Sequence, residues 1–254
     1  MMLIILHRNA MSNSRFYCPA KLALGAVVTL PENAAIHAVK VLRLEVGDEA
    51  ILFNGDGCDY VVEFTFIKKH EVNAKVKGRI TLNNESPLQI TLLQGISAGD
   101  RMDFTIQKSV EMGVAAIQPI ATQRSVVKLS GERAEKRREH WQNVVISACE
   151  QSGRATIPTV AAPLTLANWL STAPEFTTRI TLSPTASLSL QELAEPDGPI
   201  CLLIGAEGGL TDDEINLAGI HNFTPVRLGN RVLRTETAPL AAIAAMQTLW
   251  GDFA

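Results

Sequence analysis

Two stretches in the C-terminal third of the chain carry residue types that could hold a small ligand. The first reads Leu202-Leu203-Ile204-Gly205-Ala206-Glu207-Gly208-Gly209-Leu210-Thr211-Asp212-Asp213-Glu214. Its glycines permit positive φ and let the backbone approach a ligand closely. Glu207, inside the turn, can accept backbone N–H groups or meet a ligand. The second reads Leu228-Gly229-Asn230-Arg231-Val232-Leu233-Arg234-Thr235-Glu236-Thr237-Ala238-Pro239. The first turn lacks the lysine and following hydroxyl of a P-loop. It also departs from G-x-G-x-x-G, which argues against a dinucleotide. A tight connection with no ligand is the alternative reading of either turn alone.

The flanking residues say how such turns are positioned. The apolar run 200–204 predicts a buried strand. Thr211, three residues before Glu214, is the pattern of a capping box, so a helix should start there. Residues 225–228 read as a second strand. Pro239 falls early in the helix that follows, where a missing N–H costs little. Strand, glycine turn and helix start form the usual ligand cradle of α/β proteins. Two of them, at the ends of neighbouring strands, predict one shared pocket.

The rest of the chain divides in texture. Arg15-Phe16-Tyr17 places a basic residue beside two aromatics. It could pair phosphate and stack a base, or open a strand with Phe16 in the core, which is the favoured reading. Short β-type runs follow to about residue 83: 50–54 and 60–67 joined by the turn Asn54-Gly55-Asp56-Gly57, then 72–80. Residues 31–43 have helical apolar spacing, with His37, Lys40 and Arg43 as a basic edge that the residues alone favour as a solvated face. Several strands and one helix suggest a small β-barrel. The polar stretch Asn83-Asn84-Glu85-Ser86-Pro87 marks a boundary, giving domains 1–84 (with 1–14 a loose leader) and 85–254.

Beyond the boundary strands and helices alternate: strand 88–95, helix 100–113 with Met102, Ile106 and Val110 on one side, strand 115–120, a long helix from 131 to 149, a short helix 164–170, strand 179–182 and a brief helical turn 190–195. This texture predicts a parallel sheet with helices on both faces. Loops leaving the carboxyl ends of such strands carry the chemistry, which singles out Arg124 and the stretch Leu182-Ser183-Pro184. The long helix begins with mixed charges, carries Trp141, Val144, Val145 and Ala148 as a packing stripe, and ends in Cys149-Glu150-Gln151-Ser152-Gly153-Arg154. Gly153 can cap it, projecting Arg154 into the next loop. Within helix 100–113, Lys108 should pair with Glu111. Residues 239–249 are apolar nearly all round, which marks a buried helix.

Composition narrows the function classes. The chain has 254 residues, 46% hydrophobic content and a net charge of −3. There is no global basic field, so any RNA partner must be held by local patches. Cys18, Cys58, Cys149 and Cys201 are scattered without C-x-x-C. That argues against a zinc site or a disulfide framework, leaves no metal expected, and suits a reducing cytosol. Residues 1–6 are apolar but are interrupted at once by His7 and Arg8. No run approaches the ~20 apolar residues of a membrane span.

The motifs G-A-E-G-G-L-T-x-x-E-I and L-G-x-R-V-L-R-T-E-T-A, in that order, together with Q-K-S-V-E-x-G and A-C-E-Q-x-G-R, resemble the signatures of the SPOUT methyltransferases. The nearest resemblance is to the family that methylates N3 of a uridine in 16S ribosomal RNA. It implies a PUA-like RNA-binding barrel followed by a SPOUT-type parallel sheet with a deep trefoil knot. It also implies a cytoplasmic homodimer and S-adenosylmethionine as methyl donor, with 16S rRNA, in the assembled small subunit, as partner. The cofactor residues so implied are Leu182, Leu203, Gly205, Glu207, Gly208, Gly209, Leu228, Gly229, Val232, Leu233, Arg234, Thr237 and Ala238. Glu207 and Glu236 could instead simply brace the turns. Arg154, Arg124 and Glu150 are the catalytic candidates, with Arg234 a further cation for a deprotonated uracil. Arg15, His37, Lys40, Arg43, Arg124 and Arg154 are the RNA-binding ones. Two alternatives keep the fold: a ribose 2′-O-methyltransferase acting on RNA, and a non-enzymatic RNA-binding assembly factor.

Overall fold

The computed structural model describes residues 14–68, 71–127, 130–172 and 175–253. The expected leader, apart from Ser14, lies outside them. The chain forms two compact units. One comprises the residues up to 83 together with 153–156; the other comprises 84–152 and 157 onward.

In the first unit the strands are β1 (Arg15–Tyr17), β2 (Val27–Thr29), β3 (Glu49–Phe53), β4 (Cys58–Lys68) and β5 (Glu71–Thr81). They form one sheet in the order β1-β3-β4-β5-β2, antiparallel except for the parallel β1–β3 pair. The expected barrel is thus a five-stranded sheet with β1 and β2 as its ends. Two register shifts bend β4 against β5, between Val61 and Val62 and between Phe64 and Phe66. Alternation decides what is inside: Tyr60, Val62 and Phe64 of β4 and Val72, Ala74 and Val76 of β5 join Phe16 in the core. The favoured reading of Phe16 as a core residue therefore holds. The expected helix 31–43 is split. α1 (Glu32–Ile36) passes into a π-helical turn over His37–Val41, and Arg43 then takes a positive φ of 55°.

The second unit is built on an eight-stranded sheet whose ladders are all parallel. Its strands are β6 (Ile90–Gly95), β7 (Ala116–Ala121), β8 (Thr159–Val160), β9 (Leu164–Thr165), β10 (Thr178–Leu182), β11 (Leu188–Ser189), β12 (Ile200–Ile204) and β13 (Thr224–Arg227). The order is β11-β13-β10-β12-β6-β7-β8, with β9 also on β7. The helices are α2 (Asp100–Glu111), α3 (Gly131–Ser152), α4 (Leu166–Thr172), α5 (Asp212–Ile220) and α6 (Thr237–Trp250). Leu93, Cys201 and Leu203 pack on one face of the sheet with Trp169, Leu170, Ala218 and Phe223. The alternating neighbours Leu92 and Leu202 are equally buried, as strands covered on both faces require.

Two local expectations needed correction. Residues 164–165 are extended, pairing with β7, before α4 begins. The last helix is buried only along Pro239, Ala242, Ile243, Met246 and Gln247. Leu240, Ala241, Ala244 and Ala245 are half-buried and Leu249 is exposed. Gln247 anchors the helix: its Nε2 donates to Ser86 Oγ at 2.8 Å and to the Met112 carbonyl at 2.9 Å.

Candidate functional site

Because the sheet is parallel, the loops after β6, β7, β10, β12 and β13 leave from one end. At that end lies a cavity of about 510 Å³, within the range of small-molecule sites. Its walls come from the loops after β7, β10, β12 and β13, and from the start of α6.

The first glycine turn is held from several sides. The Gly209 N–H donates to the Ala206 carbonyl at 2.8 Å, closing the turn, and Gly209 has φ +71°. A Cβ on Gly205 would sit 2.7 Å from Gly209 C and 2.8 Å from Leu210 N. One on Gly95, at the end of β6, would sit 2.3 Å from Ala206 N. No side chain fits at either position, so the backbone itself forms this wall. Arg124 Nη1 donates to the carbonyls of Gly208 at 3.0 Å and Leu210 at 3.1 Å. Glu207 Oε1 accepts from the Ala98 N–H at 2.8 Å and from Arg101 Nη1 at 3.2 Å. Burial alone would raise the Glu207 pKa, but these bonds outweigh it and hold the carboxyl below its usual range. Both residues therefore brace the turn.

The capping box is present as expected. Glu214 N–H donates to Thr211 Oγ1 at 3.3 Å, and the Thr211 N–H donates to Glu214 Oε2 at 2.9 Å. Glu214 is buried, and its Oε1 accepts from the Gln123 N–H at 2.8 Å. It thereby ties the loop after β7 to the start of α5.

The second turn is looser. Gly229 has φ +71°. The Thr237 and Ala238 N–H groups donate to the Arg234 carbonyl, both at 2.9 Å, starting α6. Thr235 Oγ1 donates to the Gly205 carbonyl at 2.7 Å, joining the two turns. Arg231, Val232 and Arg234 are exposed along the cavity, Val232 at 80%.

Of the residues expected at a cofactor, Leu182, Gly205, Glu207, Gly208 and Gly209 line the cavity from the first side. Leu228, Gly229, Val232, Leu233, Arg234 and Ala238 line it from the second. Leu203 instead points into the core, and Thr237 lies in the first turn of α6 without lining the cavity. Ser183 and Pro184 line it too. Arg227, Arg231 and Thr235 were missed. Arg227 and Arg231 lie within or beside the quoted motifs, but nothing in spacing separates a cavity arginine from a surface one. Glu150 is half-buried in the last turn of α3. Lys108 pairs with Glu111 at 2.8 Å, as expected. Burial pushes the Cys201 thiol up, so it is a core residue and not a nucleophile.

The remaining RNA candidates belong to the first unit. Arg154, expected to project outward, is only 5% exposed there. Its carbonyl accepts from Arg15, whose Nη1 and Nη2 lie at 3.4 and 3.3 Å. Arg15 also pairs with Asp59 at 2.5 Å and stacks over Phe53. His37, Lys40 and Arg43 are exposed as a group.

A family described as an RNA methyltransferase domain matches residues 84–247, and one described as an RNA methyltransferase PUA domain matches residues 30–77. The chain is 37% identical over 238 residues to the ribosomal RNA small subunit methyltransferase E of Buchnera aphidicola subsp. Schizaphis graminum, covering 94% of this chain and 97% of that one. It is 33% identical to the Bacillus subtilis protein of the same name over 83% of this chain and 85% of that one. Among solved structures, the ribosomal RNA small subunit methyltransferase E of Neisseria gonorrhoeae, bound to S-adenosylmethionine, superposes with a TM-score of 0.89 at 47% identity, covering 95% of this chain and all of that one. A Legionella pneumophila structure in complex with the same cofactor gives 0.91 at 38% identity, covering 95% and 99%.

Proposed function

This chain belongs to the ribosomal RNA small subunit methyltransferase E family, and from that premise we propose that it transfers a methyl group from S-adenosylmethionine to N3 of a uridine in 16S rRNA. The observation that carries the reading is the cavity shared by the two glycine turns.

The residues present fit the cofactor. Gly205 and Gly209 offer bare backbone, suited to hydrogen-bonding a flat, neutral adenine, and Leu182, Leu228 and Leu233 offer apolar cover. When bound, S-adenosylmethionine supplies an electrophilic methyl on its sulfonium. The protein's own task is to orient the uridine and to favour loss of its N3 proton. Uracil deprotonated at N3 carries negative charge over its flanking carbonyls, which a guanidinium stabilises. The guanidinium groups of Arg234 and Arg231 are exposed at the cavity and have no hydrogen-bonded or ionic partner among the described residues. They can therefore meet the uracil and the phosphates beside it. Arg124 is engaged by the first turn and acts by holding it. Glu150 stays a proposed base, and Arg154 a proposed uridine contact, on the strength of the family resemblance.

The same reading takes the domains as 1–84 and 85–254. The first is a PUA-like module whose exposed His37, Lys40 and Arg43 hold rRNA; Arg15, engaged by Asp59, joins them in this reading. The second is knotted. A homodimer would cover the half-exposed apolar side of α6. Among the described residues no helix is long and apolar enough to cross a membrane. The family resemblance, with rRNA as substrate, is what puts the protein with the ribosome in the cytoplasm in this reading. The test is methyl transfer from labelled S-adenosylmethionine to small subunits lacking their own modification, then nucleoside digestion and mass spectrometry. Label in 3-methyluridine is the expected result. Label in a 2′-O-methyl nucleoside would move the enzyme to the ribose-modifying branch.

A further inference from the structure

Beneath the cavity, outside its lining, Gln94 is the next-to-last residue of β6 and is fully buried. Its side-chain amide reaches the segment that carries the second turn, 141 residues away. Nε2 lies 3.1 Å from Thr235 Oγ1 and 3.1 Å from the Gly95 carbonyl.

The chemistry of the partners fixes the orientation of this amide. A carbonyl only accepts, so the atom facing Gly95 must be the nitrogen. Thr235 has one hydroxyl proton and gives it to the Gly205 carbonyl at 2.7 Å. Its oxygen is then an acceptor toward Gln94, which again requires the nitrogen. The result is a directional chain: Gln94 amide to Thr235 hydroxyl to Gly205 carbonyl. The other amide atom, Oε1, is buried with no partner among the described residues. An unpaired buried acceptor costs stability, whereas methionine would fill similar space without that cost. The presence of glutamine is therefore explained by what its nitrogen holds.

We propose that Gln94 is a positioning residue for the cofactor cavity: through Thr235 it fixes the second glycine turn against the first before any ligand arrives. The position of Gly205 is set from two directions, by steric contact within its own turn and by the hydroxyl that Gln94 orients. Neither Gln94 nor the Thr235 hydroxyl needs to touch the methyl group. The inference rests on the proposed reading of the cavity as the S-adenosylmethionine site.

The test is a double-mutant cycle on the full-length protein with Gln94→Met, Thr235→Val and both together, plus Thr235→Ser. It is read by calorimetric binding of S-adenosylmethionine and by amide hydrogen exchange of residues 205–210 and 229–235 without cofactor. Each single change should weaken binding roughly 5- to 10-fold, as for loss of one buried hydrogen bond. The double variant should be no weaker than the weaker single one, because both break the same chain. Thr235→Ser should restore binding, and exchange should quicken in both segments of the Met and Val variants. In Gln94→Met, KM for the cofactor should rise while kcat and KM for rRNA stay near wild type. Additive losses, or binding and exchange equal to wild type in folded Gln94→Met, would overturn the proposal. Failure of the wild-type protein to bind S-adenosylmethionine would instead overturn the functional reading on which it rests.

Discussion

The two glycine turns that face each other across the cavity are held in opposite ways. The turn after β12 is fastened on nearly every side: by its own 2.8 Å hydrogen bond, by Arg124 on two carbonyls, and by Glu207 reaching Ala98 and Arg101. The segment after β13 has Thr235 as its inward bond and leaves Arg231, Val232 and Arg234 in solvent. One wall is closed backbone, and the other is a lip of free cations tied to it through Thr235. A cofactor of constant shape suits the first. An RNA strand that must be admitted and released suits the second, whose exposed guanidinium groups stay solvated until phosphate arrives.

The comparison breaks most severely at Gly205. Gly205→Ala puts a Cβ within 2.8 Å of the Gly209–Leu210 backbone. Cofactor binding should fall on the order of 100-fold, corresponding to about 2–3 kcal/mol of overpacking. Calorimetry checks this, and near-wild-type affinity would mean that the wall is not rigid.

On the lip, Arg231→Ala and Arg234→Ala should each weaken rRNA binding roughly 10-fold and reduce the salt slope by about 1. Their cofactor dissociation constants should stay within about twofold of wild type. Filter binding across a salt series, beside calorimetry, separates the two. A loss confined to the cofactor would place these arginines on the wrong wall.

Glu207→Gln removes the charge from the brace and should weaken cofactor binding about 3- to 10-fold. The sign with pH follows from the depressed carboxyl pKa. The brace is fully present above the unfolded value of 4.5 and is lost as pH falls through the lower folded value. The gap between wild-type and Glu207→Gln melting temperatures should therefore be constant near neutrality and close below about pH 4.5. A gap that persists in acid would assign the effect to shape and not to charge.

The smallest effect should come from Lys108→Ala, far from either turn in its bonding. It loses only a half-exposed pair with Glu111, worth about 0.3 kcal/mol. Turnover should match wild type, and a large drop in kcat would give Lys108 a role that its ion pair does not suggest.

What could be read from the sequence follows the same division between near and far. The strand 200–204, the capping box at Thr211 and the positive-φ glycines are local signals, and each stands where its residue types require. The braces are not local. Arg101 meets Glu207 across 106 residues, and Gln94 meets Thr235 across 141. Nothing in periodicity distinguishes Gly95 from any glycine ending a strand until Ala206 is found 2.3 Å from where its Cβ would stand. The last helix misled for a related reason: an all-round apolar sequence does not say which of its faces the fold covers. Arg154 was read as projecting outward because a glycine cap releases the chain, but the packing of the loop buried it.

Glu214 has a consequence for how the chain assembles. Its carboxylate caps α5 from three residues away, yet the second oxygen is taken up by a backbone N–H that was synthesised 91 residues earlier. A helix start that elsewhere nucleates on its own is here completed only after the loop following β7 has arrived. Contacts at such sequence separation make for slow folding, so α5 should gain its full protection from hydrogen exchange late in refolding, together with the cavity it borders. Binding competence and the final folding step would then appear at the same rate.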